Sequence, residues 1–149
     1  MNFFEKAVVF IATGCYTGYI PASPGTWGAL VGLVFCYWLS LLHVPVAFIV
    51  LCFMTVFSVW VAGLAEKIIQ QKDSSCIVID EVVGMAVTLV GLPFAPLTVV
   101  TGFILFRILD ISKPFPIRYF DKKISGGVGI VSDDIAAGLL GNLLLRFFF

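Results

Sequence analysis

From Ala7 to Ala65 the chain carries no charged side chain, counting His43 as neutral. A second uncharged run extends from Val82 to Phe106. Crossing a hydrocarbon core of about 30 Å takes ~20 consecutive apolar helical residues, and both runs are long enough. A water-soluble domain of similar size is about a quarter charged residues. Here 12% are charged, 60% are hydrophobic and the mean hydropathy is +1.10. The sequence therefore predicts an all-α, polytopic integral membrane helical bundle. Its 149 residues make a single domain, 1–149.

The formal net charge is zero, so nothing attracts nucleic acid in bulk. Four cysteines (Cys15, Cys36, Cys52, Cys76) form no C-x-x-C pair, and a single histidine leaves no Cys/His zinc site. They read as buried structural thiols. The opening "MNFFEKAVVFIATGC" lacks the positive start and the 7–15-residue apolar core of a cleaved leader, so it reads as a first helix.

Proline and glycine divide the apolar runs. Residues 3–17 read as a short helix. "GYIPASPGTWG" (18–28) reads as a loop in which Ser23 or Thr26 caps the helix over 28–42. "HVP" (43–45) breaks that helix, since a residue before proline avoids the helical region. Residues 46–65 continue as a helix into "EKIIQQKDSS". "LPFAP" (92–96) divides 82–106 into two arms of a hairpin. The hairpin puts the acids at 80–81 on the same membrane face as the charged stretch 107–134. Seven of the nine Lys and Arg then share that face, as expected of the cytoplasmic side.

Three clusters carry polar chemistry, and each also has a plain structural reading. In "IVIDEVVG" (77–84), Asp80 and Glu81 are either a helix cap with a first-turn charge or metal and proton-transfer groups. In "FRILDISKP" (106–114), Arg107 and Asp110 share a helix face with Lys113 near the break at Pro114. They are an ion pair with a helix-end cation, or functional charges of the kind seldom placed in apolar helices without purpose. In "SGGVGIVSDDIAAG" (125–138), glycines precede Asp133 and Asp134. This is a turn capped by Ser132, or a backbone cradle for an anion formed by Gly126, Gly127 and Gly129. "GTWG" (25–28) is another glycine loop before a helix and carries less weight.

Together the clusters say more. Asp80, Glu81, Asp110, Asp121, Asp133 and Asp134 are six of the nine acids, all on one expected face. Oxygen ligands without histidine or thiolate favour Mg²⁺, which commonly bridges to a substrate phosphate. Arg107, Lys113, Arg118, Lys122 and Lys123 supply phosphate-binding cations. This composition suits phosphoryl chemistry on a lipid headgroup at a bilayer surface. No C-x₅-R loop and no G-x₄-G-K-[ST] motif occurs, and His43 lies on the opposite face.

In three blocks, "PGTWGAL" (24–30), "IVIDEVVGM" (77–85) and "FRILDISKPFPIRYFDKKISGGVGIVSDDIAAG" (106–138), the chain resembles the phosphatidylglycerophosphatase A family. Ile79 and Phe115 stand where the family often has aromatic residues, and both keep the lining apolar. The resemblance implies an all-helical, multi-pass enzyme of the bacterial inner membrane with a cytoplasm-facing site. It implies hydrolysis of phosphatidylglycerophosphate to phosphatidylglycerol and phosphate with Mg²⁺. The family's charged motif positions fall on Asp80, Glu81, Arg107, Asp110, Lys113, Asp133 and Asp134.

The resulting expectation is that Asp80, Glu81, Asp110, Asp133 and Asp134 supply the metal ligands. Arg107 and Lys113 balance the phosphate, Gly126, Gly127 and Gly129 cradle it, and Asp80 or Asp133 serves as base. Attack by water and transfer through an aspartyl-phosphate both fit. A CDP-alcohol-type lipid phosphotransferase would show D-G-x₂-A-R…G-x₃-D-x₃-D, which is absent. A small transporter or channel would place acids inside the spans, whereas these acids are expected at helix ends.

Overall fold

The computed structural model describes residues 1–72, 74–115 and 126–149. Arg118, Asp121, Lys122 and Lys123 lie outside the described residues. Among those described there are six α-helices, one short 3₁₀ turn and no strand: α1 (Phe3–Ala12), the 3₁₀ turn (Thr17–Tyr19), α2 (Pro24–Ser40), α3 (Val44–Ile69), α4 (Ile79–Leu89), α5 (Pro96–Ser112) and α6 (Gly126–Leu145).

The helix ends follow local chemistry. A capping box opens α1, with Asn2 Oδ1 accepting from the Glu5 amide and Glu5 Oε2 accepting from the Asn2 amide. α1 stops at Ala12, short of the expected residue 17, because Gly14, Cys15 and Tyr16 all adopt positive φ. Prolines lie in the first turns of α2, α3 and α5, where a missing N–H costs nothing. Neither Ser23 nor Thr26 caps α2 through its side chain. Ser23 takes the N-cap position without such a bond, and Thr26 lies inside the first turn.

α4 is the central element, with every residue from Val82 to Val90 buried. Close approach by its neighbours explains much of the glycine content. Gly28 and Gly32 of α2 let that helix lie against Val78 and Met85 of the α4 segment. Gly138 of α6 sits on the carbonyl of Gly84. Asn142 Nδ2 donates to the Thr88 and Val90 carbonyls at 3.0 Å, and Arg146 Nε donates to Asn142 Oδ1. These bonds satisfy carbonyls left open where α4 ends. The hairpin expected around "LPFAP" is present as α4, a turn at Gly91–Ala95, and α5.

α6 departs from expectation. It begins at Gly126, so Asp133 and Asp134 are buried in its third turn rather than opening a helix. Glycine disfavours helix by about 1 kcal/mol per residue, which is why the sequence suggests a loop there. Tertiary packing overrides that preference: Gly127 lies directly on the Val59 carbonyl and on Gly63 of α3.

α3 (26 residues) and α6 (20 residues) are long and apolar enough to cross a membrane by length and composition. All four cysteines are free. Cys36 is buried and Cys76 half-buried, but Cys15 and Cys52 are exposed, which corrects the expectation of buried thiols throughout.

Gly138→Ala should destabilise the fold by about 1–3 kcal/mol, the usual cost of overpacking. The new Cβ would lie 2.5 Å from the Gly84 carbonyl oxygen, and backbone on both sides leaves no easy relief. Thermal unfolding in detergent measures this, and an unchanged midpoint would count against so close a helix contact.

Candidate active site

The side chains expected to carry the chemistry gather at one end of the bundle. Asp80 and Glu81 project from the first turn of α4. Asp110 lies near the end of α5, with Arg107 one turn before it. Lys113 follows at the C-cap in a left-handed conformation (φ 41) that is uncommon for a side chain larger than glycine. Asp133 and Asp134 come from α6, which extends about two turns beyond the acid cluster.

Three of the five expected metal-ligating acids converge. One carboxylate oxygen from each of Asp80, Glu81 and Asp134 lies within 4.8 Å of the other two. Asp80 Oδ1, Glu81 Oε2 and Asp134 Oδ2 are closed off from solvent and have no hydrogen-bond partner among the described residues. Burial pushes the Asp80 carboxyl well above the usual range, and the nearby Glu81 and Asp134 charges push it further. Burial also raises Glu81.

The other two acids hold cations. Asp110 Oδ2 pairs with Arg107 Nη1 at 2.5 Å, and Asp133 Oδ2 accepts from Lys113 Nζ at 2.7 Å. The first pair is local to α5, as the i,i+3 spacing predicted. The second ties α5 to α6 and is not visible in the spacing. Asp110 also lies beside Asp134, so the pairs border the acid triad rather than standing apart from it.

The glycines expected to cradle phosphate occupy the first turn of α6. Gly126 has positive φ (74), Gly127 packs on α3 and Gly129 is buried. A different glycine touches the acid cluster. A Cβ on Gly25 would stand 2.8 Å from Arg107 Nη1 and against Glu81 Oε1. In the sequence alone "GTWG" is a weak signal. The available signal was glycine at 25, 28 and 32, one stripe along α2.

Asp133 and Asp134 lie inside a helix long enough to span, not at a helix end as expected, so their position does not exclude a channel. Comparison with known proteins decides the matter. The family model for phosphatidylglycerophosphatase A matches residues 10–149. The chain belongs to the phosphatidylglycerophosphatase A family.

Two relatives carry that family's name. One from Escherichia coli (strain K12) is 38% identical over 138 residues, covering 92% of this chain and 80% of the relative. One from Haemophilus influenzae is 39% identical over 139 residues, covering 91% and 84%. A third, from Bacteroides thetaiotaomicron, carries a provisional description as a phosphatidylinositol-3-phosphatase; it is 35% identical over 147 residues, covering 92% and 90%. No solved structure matches the chain at a significant level. The three blocks that carry the resemblance thus meet in space at their described residues: "PGTWGAL" through Gly25, "IVIDEVVGM" through Asp80 and Glu81, and the long block through Arg107, Asp110 and Asp134.

Proposed function

We propose that this chain hydrolyses phosphatidylglycerophosphate to phosphatidylglycerol and phosphate at the cytoplasmic face of a bacterial inner membrane, crossing it several times. The observation that carries the reading is the convergence of Asp80, Glu81 and Asp134 beside Arg107. The relatives' names supply the substrate class. Embedding is supported by apolar stripes on the outside of the bundle. Leu97, Val100, Ile104, Ile108 and Ile111 line one exposed face of α5, and Ile49, Phe53, Val56 and Trp60 one face of α3. Continuous exposed apolar surface of this kind needs a lipid or protein covering.

The acid triad fits a hard divalent cation such as Mg²⁺. Its donors are all carboxylate oxygens, and three oxygens are shut off from solvent with no partner among the described residues. Among the described residues, five carboxyl groups here face two cations, an excess of three negative charges when all are ionised. Asp80, Glu81 and Asp134 would hold the ion, which when bound supplies charge neutralisation at the phosphoryl oxygens and a lowered pKa for an attacking water.

The protein's own groups do the rest. Arg107 and Lys113 bind the terminal phosphate, with Asp110 and Asp133 holding them in place until it arrives. Asp80 is the candidate base, taking a proton of the attacking water as its oxygen bonds to phosphorus, while the ester P–O bond breaks and the departing glycerol oxygen takes up a proton to leave as the alcohol. Asp133, the other candidate, has one oxygen committed to Lys113. Apolar helix surface below the site leaves the acyl chains in lipid.

Anchoring a substrate to the same surface raises its effective concentration and can add a factor of about 10²–10⁴ in apparent affinity. The enzyme should therefore prefer phosphatidylglycerophosphate in micelles over glycerol 3-phosphate by that order in kcat/KM. Equal values would remove the lipid-phosphatase assignment.

Topology gives a second check. Ser75 precedes α4 at the acid end, and Phe94 lies in the turn at the other end of the hairpin. In a background without native cysteines, Ser75→Cys should react with an impermeant thiol reagent from the cytoplasm and Phe94→Cys from the periplasm. Labelling of both from one side would contradict the embedding.

A further inference from the structure

We propose that Gly25 is a positioning residue of the active site, the residue whose missing side chain lets Glu81 and Arg107 share one wall of the acid cluster. The activity readouts below rest on the phosphatase reading.

α2 begins with Pro24, and Ser23 before it stands in the left-handed region (φ 52) with no side-chain cap bond. The first turn of the helix is thereby brought against α4 and α5. A Cβ on Gly25 would meet Glu81 Oε1, Arg107 Nη1 at 2.8 Å and Arg107 Nη2 at 3.1 Å. All three atoms are the far ends of flexible side chains. Alanine could therefore fit in the fold by pushing both groups aside.

Gly32, two turns further along the same face, differs. A Cβ there would meet the Met85 Cβ and the Val82 carbonyl oxygen, both at 2.9 Å. Neither atom can swing away, so alanine at 32 strains the helix packing. One stripe of glycine thus serves two ends: Gly32 seats the helix, and Gly25 seats the chemistry.

A second observation points the same way. Glu81 Oε2 and Arg107 Nε are both shut off from solvent without a hydrogen-bond partner among the described residues. Two polar groups are therefore held in this wall with bonding capacity in reserve, and displacing them would misplace it. Residues that orient functional groups typically alter metal affinity or activity by about 10–100-fold when changed.

The test compares Gly25→Ala with Gly32→Ala in the full chain, purified in detergent. Three quantities are measured: kcat/KM on phosphatidylglycerophosphate, the Mn²⁺ binding midpoint by electron paramagnetic resonance, and the thermal unfolding midpoint. Gly25→Ala is expected to lower kcat/KM and weaken Mn²⁺ binding, each by about tenfold or more, with little change in unfolding. Gly32→Ala is expected to lower the unfolding midpoint and leave Mn²⁺ binding unchanged. Glu81→Asp withdraws the carboxylate by one methylene and leaves only the Arg107 contacts, so Gly25→Ala combined with Glu81→Asp should lose less than the product of the two single effects.

A Gly25→Ala protein with unchanged kcat/KM and Mn²⁺ midpoint overturns the proposal, as does one that only loses stability in the manner of Gly32→Ala. If the unsubstituted protein binds no Mn²⁺, the cation reading fails and kcat/KM with the Glu81 coupling decides Gly25. If it turns over no lipid phosphomonoester, the phosphatase reading fails and the Mn²⁺ midpoint decides.

Discussion

Asp80→Asn and Asp134→Asn are each expected to lower turnover by at least ~10²-fold, since a lost ligand forfeits several kcal/mol of charge stabilisation. Both should also raise the unfolding temperature of the cation-free protein. The two effects have one cause. The triad crowds three carboxyls, each with one oxygen shut off from solvent and unpartnered among the described residues, and a neutral amide of the same shape relieves their repulsion and desolvation. A purely structural acid behaves otherwise. Removing a helix cap costs about 0.5–2 kcal/mol of stability and leaves chemistry intact. Asp134 cannot be a cap, because it lies in the third turn of α6. Activity assays beside thermal unfolding in chelator would separate the two roles, and a variant that is less stable yet active would return its residue to scaffolding.

The second large effect is the response to cation and pH together. Asp80 and Glu81 ionise above the ordinary carboxylate range, chiefly because burial penalises their charge. A carboxyl whose folded-state pKa exceeds its unfolded value takes up a proton on folding. The cation-free protein should therefore be stabilised at acid pH and lose that stability as pH rises from the ordinary carboxylate range through the raised one. Cation binding must displace those protons. Apparent Mg²⁺ affinity should rise with pH by up to about tenfold per unit for each proton released. Isothermal titration in buffers of different ionisation enthalpy counts the protons. A pH-independent affinity with no proton release would mean that these two acids do not hold the ion.

Where local signals decide a boundary, the sequence is a good guide. The prolines of "LPFAP" mark the α4–α5 hairpin, and Pro114 follows the end of α5 at Ser112. The Arg107–Asp110 pair follows from helical spacing alone. Legibility fails where tertiary packing overrides local preference. The glycines before Asp133 suggest a loop, yet Gly127 uses its bare backbone to lie against α3, and the helix starts there. Separation of the five acids into a triad and two counter-charges is also hidden, because Lys113 and Asp133 meet only once α5 and α6 pack together. Gly25 is hidden for the same reason: its neighbours Glu81 and Arg107 are remote in sequence.

The most direct test is phosphate release by the purified protein in vesicles containing phosphatidylglycerophosphate, with Mg²⁺ or with excess chelator, alongside Asp134→Asn. Rapid release with Mg²⁺, its loss in chelator and its loss in Asp134→Asn is the expected result. Release that persists undiminished in chelator and in Asp134→Asn would contradict the assignment of chemistry to the triad of Asp80, Glu81 and Asp134.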